Sequence, residues 1–420
     1  MSKIDLDSLL GPIDLDALLG GPVVARRDPD EPLAKVPSTF VQPVYKPRKP
    51  MYRRDVNNKL VQRGLVVLSN GLGRDSATMM CLLVEGRLKA GGKIVRPEDV
   101  DVVVFSDTGY EWGFSYQAIA SMTKMLEGTG IPFFVLRKPP TEAWRPWAEE
   151  RKKNFLRIFS KHDGQVNSPA YKAEMAALKE APPWLERELE AMAIHERAEA
   201  GIYHRRAPIV SSFEEMSRLN MMSSHECTIQ HKIEPIRRFL EDLTVAKYGV
   251  KLVIGKDSWS RQVERGEADP HRVLIGFASD EGKRVARSEK ALKGVGINWK
   301  IEEFPLFEMG ISKDDETTIL KRHGLNWIRK SGCIMCHHQP VSWFWALREN
   351  DPEGFKRMER YEANALTRNP TWHLKFGSSK KDIANKESGW PIGVLVDEWR
   401  RQNPNATVED VLDKSYVRCT

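Results

Sequence analysis

The order of apolar runs in this chain predicts an α/β fold, a mostly parallel sheet with helices on both faces. Short apolar runs recur at Leu65–Leu68, Val102–Phe105, Phe133–Leu136, Leu252–Ile254 and Val273–Ile275, with helical patterns between them. The first run passes through a Gly-broken turn into a helical segment carrying Met79, Met80, Leu82 and Leu83. Strands alternating with helices imply βαβ units and a sheet covered on both sides. Ligands of such sheets sit beyond the carboxyl ends of the strands, which places the turns after Leu68 and Phe105 in one pocket.

The turn after the first strand reads Ser69-Asn70-Gly71-Leu72-Gly73-Arg74-Asp75-Ser76. Gly71 and Gly73 permit backbone conformations closed to other residues, so amide N–H groups are expected to converge on an anion at the start of the next helix. No Gly-Lys-Ser/Thr follows, and a third glycine is missing where a dinucleotide fingerprint would need one, at Ser76. An ordinary strand-to-helix turn with a serine cap is the plainer alternative.

Four further blocks follow. They are Asp107-Thr108-Gly109-Tyr110-Glu111 after the second strand, His225-Glu226-Cys227-Thr228 running into Lys232, Ile275-Gly276 through Asp280-Glu281 to Arg284, and Phe304-Pro305-Leu306-Phe307 leading to Cys333-Ile334-Met335-Cys336. Over roughly Leu65 to Trp345 these blocks and their order resemble the PP-loop ATP pyrophosphatases, in the branch of the phosphoadenylyl-sulfate (PAPS) reductases. That resemblance implies a Rossmann-like sheet of the HUP/PP-loop type. It implies ATP or a related adenine nucleotide bound by Ser69, Asn70, Gly71, Gly73, Arg74, Asp75 and Ser76, bordered by Asp107, Thr108 and Gly109. Lys232, Asp280, Glu281 and Arg284 would then lie near the pyrophosphate or substrate. A surface salt-bridge cluster is the structural alternative for Asp280, Glu281 and Arg284.

Cleavage of ATP between its α and β phosphates needs donors around the leaving pyrophosphate and positive charge where oxygen charge develops. Asp75 and Ser76 are the catalytic candidates in the loop. Asp75 could position the loop through hydrogen bonds or help hold Mg²⁺; it could equally be an acid stabilised by the helix dipole.

Five cysteines, an odd number that includes a Cys-x-x-Cys pair, argue for metal or redox chemistry in a reducing compartment over structural disulfides. Cys333 and Cys336 could grip one metal centre, with Cys227 as a third thiolate and as the candidate catalytic cysteine. In related sulfur-handling proteins cysteines of this layout hold a [4Fe–4S] cluster, although here Glu226 stands where cluster-bearing relatives have a further cysteine. Zinc held with His225, His337 or His338, and a Cys333/Cys336 dithiol, are the alternatives. Cys81, on the apolar face of the loop helix, reads as a small buried hydrophobe. Cys419 is similar in place to the terminal nucleophile of PAPS reductases, but Tyr416-Val417-Arg418-Cys419-Thr420 lacks that family's signature, which makes it an incidental thiol.

The 420 residues hold 65 Lys+Arg against 58 Asp+Glu, a formal +7 that suits polyanionic partners such as tRNA or DNA, or else reflects solvated helix faces. No run approaches the ~20 apolar residues of a membrane span, and no secretion signal opens the chain; a soluble, cytoplasmic protein without membrane contact is expected. Residues 4–12 (IDLDSLLGP) recur as 13–22 (IDLDALLGGP) in a Pro-rich stretch. Residues 1–55 are therefore expected to be a flexible tail, with the repeated Leu pairs open to a protein partner. The PP-loop domain is placed at 56–345, with a charged helical insertion at about 139–224 that could cap the site. A helical region follows at 346–420, whose tryptophans are expected to fill a core.

Three functions remain in order. The first is an ATP-using enzyme that adenylylates its substrate and performs sulfur chemistry at a cysteine-bound centre. A PAPS or adenylyl-sulfate reductase is second, and a nucleic-acid-associated nucleotide-binding module with structural zinc is third.

Overall fold

The computed structural model describes residues 40–44, 50–137, 156–163, 168–178, 183–204, 226–250, 258–295, 298–368 and 390–413, with isolated positions between them. The repeat at 4–22, the Leu252–Ile254 run, His225 and Cys419 lie outside these residues, as does the side chain of Glu226.

A five-stranded, wholly parallel sheet forms the centre, built from β1 (Val66–Ser69), β2 (Val102–Ser106), β3 (Phe133–Leu136), β4 (His271–Ile275) and β5 (Lys300–Glu303) in the spatial order β3-β2-β1-β4-β5. The order reverses between β1 and β4. Side chains alternate between faces as strand geometry requires. Val103 and Phe105 of β2 join one core with α1 (Arg74–Val84) and α2 (Gly113–Leu126), whereas Val102 and Val104 join another with α3 (Glu234–Tyr248). Helices on both faces explain why β2 is buried along its whole length.

The strand β5 was not among the expected runs. Its sequence, Lys-Ile-Glu-Glu, is that of a charged sheet edge, with Ile301 42% exposed and Arg272 bonded to Glu303 at 2.8 Å. The folded region also begins earlier than expected. Tyr52–Arg54 pairs antiparallel with Leu60–Gln62. Residues 40–44 lie on the other edge, where Phe40 packs against Phe133 and the Gln42 side chain bonds both the N–H and the C=O of Val135.

The helical insertion includes two short helices, Pro183–Ala191 and Ile194–Ala200. Ala193 is extended between them because Glu196 accepts a hydrogen bond from its N–H at 2.7 Å, starting a new helix. The chain then returns beside β3 through an Arg137–Ile202 bridge, and Arg197 and Tyr203 both bond Asp242 of α3 at 2.8 Å. This described end of the insertion therefore packs along a flank of the sheet.

α4 (Gly282–Val295) joins β4 to β5, and after the strands come α5 (Lys313–Arg322), α6 (Val341–Asn350), α7 (Pro352–Arg368), α8 (Ile392–Gln402) and α9 (Val408–Asp413). The last four enclose their own apolar cluster around Trp343, Trp345 and Phe344, into which Tyr110, Trp112 and Cys333 also pack. Trp343 and Trp345 are core residues, while Trp390 is 53% exposed. Among the described residues, no helix is long and apolar enough to cross a membrane.

Two polar devices lie beneath the sheet. Lys247 and Asp101 form an ion pair of 2.9 Å with side chains only 3% and 12% exposed. His271, fully buried and stacked on Trp259, accepts from Leu65 N at 2.9 Å and contacts Thr244 Oγ1 at 3.2 Å. Burial, helped by the Lys247 charge, lowers His271 to about 3. The unfolded chain therefore binds a proton there that the native one refuses. Unfolding free energy should fall as pH drops from about 6.5 toward 3, less steeply in His271→Gln, by urea denaturation at several pH values. Asp101→Ala strands the Lys247 charge and should cost about 3 kcal/mol or more in the same assay.

Candidate functional site at the strand carboxyl ends

Where β1 ends, Asn70 turns inward: its N–H donates to Val104 O at 2.8 Å and its Oδ1 accepts from Leu72 N at 2.7 Å. This Asx-type turn puts Leu72, not a glycine, in the left-handed region at φ 58°, with its side chain fully buried. Gly73 is extended at φ −110°. What demands glycine there is proximity, since a Cβ would lie 2.6 Å from Ser331 N; at Gly71 one would meet Ser331 Oγ at 3.0 Å.

The expected convergence of amides is only partly present. Leu72 N is taken by Asn70, Gly73 N donates to Ser76 Oγ at 3.2 Å, and Arg74 N donates to Arg329 O at 3.2 Å. Ser76 closes its own turn, its hydroxyl also donating to Gly73 O at 3.0 Å; this is the cap geometry of the plainer alternative. Arg74 turns away from the loop's open side to donate to Lys313 O and Thr317 Oγ1. The first turn of α1 remains, because an α-helix leaves its first amides without intrahelical acceptors and carries positive potential there.

Around that turn lies a dense charge cluster at the switch point of the sheet. Lys330 Nζ is 3.8 Å from Asp75 and 3.0 Å from Glu281, Arg284 is 2.6 Å from Glu281, and Lys313 is 3.9 Å from Glu281 and 4.0 Å from Asp280. Burial disfavours charge on Glu281, but Lys330, Arg284 and Lys313 outweigh it and hold the carboxyl low, at about 2. Arg284 lies over the Phe277 ring at 4.1 Å, and Phe277 stacks on Phe304. Gly276 abuts the loop helix, a Cβ there falling 2.9 Å from the Asp75 carbonyl carbon. Glu281, and Arg284 bound to it, thus do meet the loop through Lys330, while Asp280 touches Lys313. Neither Lys330 nor Glu316, which contacts Asp75, stood out in the sequence. An acid on the apolar stripe of Ile319 and Leu320 was the available signal.

Block two is a self-bonded turn. Asp107 Oδ1 accepts from Gly109 N and Tyr116 Oη, each at 2.8 Å, and Thr108 Oγ1 donates to Glu111 Oε1 at 2.9 Å. Asp107, Thr108 and Glu111 are all buried. Lys232 Nζ stands 3.9 Å from Glu111, carried by a π turn over Ile229–Ile233 just after Cys227. Cys333 forms an antiparallel bridge with Glu111. Burial, with the Glu111 charge adding, pushes the Cys333 thiol well above its usual range; Lys232 and Cys227 are both near enough to act on it. Cys227 and Cys336 are half-buried at the edge of the same cluster.

One segment joins the two loci. Arg329 O holds Arg74 N, Ser331 lies against Gly73, and Ile334 N donates to Tyr110 O at 2.9 Å. Cys333 is two residues from Ser331, at most about 7 Å between Cα atoms.

Among the described residues, no three His, Cys, Asp or Glu side chains form a metal-binding group. Cys227 lies near enough to Cys333 to act on it, and His225, one of the candidate zinc ligands, is outside the described residues. Cys81 is fully buried and raised to about 12 by burial, with Glu85 adding, as a small hydrophobe should be.

Fold and site together define a parallel α/β protein with a charge cluster at the topological switch point of its sheet. No protein-family model, curated protein or solved structure matches the chain.

In the native protein a soluble thiol reagent should label Cys227 and Cys336 first, with Cys81 and Cys333 modified only on unfolding, by peptide mass mapping. Equal labelling of Cys333 would show that its burial is wrong.

Proposed function

We propose that the chain is a PP-loop nucleotide-binding enzyme of the PAPS reductase-like kind, with a HUP-type sheet, that adenylylates a substrate and performs sulfur chemistry on it. The observation that supports this reading best is residues 329–334, which bring a thiol-bearing turn within two residues of the loop at the switch point. A triphosphate at the first turn of α1 would meet the helix dipole, Lys330, Lys313 and Arg284, the kind of preorganised positive charge that phosphoryl transfer uses.

In the proposed sequence an acceptor oxygen attacks the α phosphorus of ATP, the bond to the bridging oxygen breaks, and pyrophosphate leaves with its electron pair. A sulfur nucleophile then attacks the activated carbon and AMP departs. Hydrosulfide from a separate donor is the attacking sulfur, so that the C–O bond breaks and no thioether to the protein is left; Cys227, half-buried beside the turn that carries Lys232, is the thiol best placed next to it, whereas burial keeps Cys333 protonated. ATP enters as its Mg²⁺ complex; the contacts of Asp75 with Lys330 and Glu316 are those of a positioning residue.

Calorimetry with Mg²⁺–ATP checks the first half. Wild type should bind, Asp75→Ala/Ser76→Ala should bind about tenfold or more weakly, and Cys227→Ser should bind as wild type does. Absence of adenine-nucleotide binding by the wild type defeats the reading. Sulfite release from PAPS with thioredoxin would instead favour a reductase.

A further inference from the structure

A second carboxyl group lies against Asp75. Glu316, in the first turn of α5, is 1% exposed, lies near enough to Asp75 for that charge to act on it, and has no partner for its Oε1 among the described residues. The same helical turn also holds the neighbouring loop residue, because Lys313 O and Thr317 Oγ1 both accept from Arg74. One turn of α5 therefore grips two consecutive residues at the start of α1.

Two carboxylates in contact and away from water cannot both stay ionised at modest cost; one keeps a proton. Asp75 has Lys330 at 3.8 Å and the positive end of α1 beside it. Glu316 lies deeper and has an oxygen without a donor, which makes it the protonated partner.

We propose that Glu316 is a positioning residue of the nucleotide site, donating its carboxyl proton to Asp75 and so fixing the first turn of α1 where the phosphate chain would dock. The proposal rests on the nucleotide-site reading above. Burial first, then the Asp75 charge, raises Glu316 to about 9, against the opposing charges of Arg74 and Lys330. The groups facing it are Asp75 and Arg74 from α1 and Lys330 from the connecting segment, with Glu281 beyond Lys330. Between the ordinary carboxyl value of about 4.3 and that raised value the native state binds more protons than the unfolded one, so stability falls as pH rises through the window. A glutamine keeps the donor and removes that slope.

The test uses the full chain, Mg²⁺–ATP as the calorimetric probe from about pH 7 to 10, and thermal unfolding without nucleotide. At pH 7 Glu316→Gln should bind within about threefold of wild type and Glu316→Ala about tenfold or more weakly, the range for a hydrogen bond to a charged group. Toward pH 10 wild type should weaken by about tenfold while Glu316→Gln holds its affinity. The melting temperature of wild type should fall relative to Glu316→Gln between about pH 6 and 9. Equal binding by Glu316→Ala and wild type overturns the proposal, as does an alkaline loss shared by wild type and Glu316→Gln, which would belong to the lysines. Should Glu316→Ala not fold, the pH comparison of wild type with Glu316→Gln decides. Wild type that binds no ATP defeats the nucleotide reading and this proposal together, whereas binding indifferent to Glu316 defeats this proposal alone.

Discussion

Two backbone hydrogen bonds, Arg74 N to Arg329 O and Ile334 N to Tyr110 O, fix the turn after β1 to the turn after β2. Everything at the crevice depends on that coupling. Adjacent parallel strands deliver the two turns side by side, and residues 329–334 run across both: Lys330 toward Asp75, Ser331 on Gly73 and Cys333 on Glu111. The contact tolerates no side chain at Gly73. A glycine that looks like a source of backbone freedom is instead a place where two backbones touch.

The charges of the crevice are arranged in competition. Glu281 occupies three cations at once, and burial makes each of those contacts stronger than it would be in water. A phosphate at the switch point, as proposed, would have to draw Lys330, Lys313 or Arg284 from that carboxylate, so its binding would be an exchange of anions around fixed cations. Such an exchange favours ligands with several charged oxygens over a lone phosphate, because a single oxygen cannot replace all three interactions.

Much of the fold was legible in the sequence because buried parallel strands are uniformly apolar. Val102–Phe105 and Phe133–Leu136 could be read directly, and both appear in the sheet. The edge strand Lys300–Glu303 was hidden by its charge, which is what an edge needs and what a search for apolar runs passes over. The split at Ala193 depended on one bond from its N–H to the Glu196 carboxylate, which no periodicity reveals. At the site, the loop and the Asp280–Arg284 block were readable as motifs. Glu316 and Lys330 were not, because their roles arise from α5 and residues 329–334 packing under the loop, a tertiary relation that leaves only an acid out of place on an apolar helix face. The thiols were readable as residues, but that Cys227 comes near Cys333 follows only from the fold.

The glutamine at position 42 has a consequence beyond local packing. By presenting a side-chain amide to Val135 in place of a neighbouring strand's peptide, it occupies hydrogen-bonding groups of β3 that another polypeptide would otherwise seek. The leading segment thus works as a selvage that finishes the woven edge, and shortening the chain past this point would expose a self-complementary rim through which copies could stitch together.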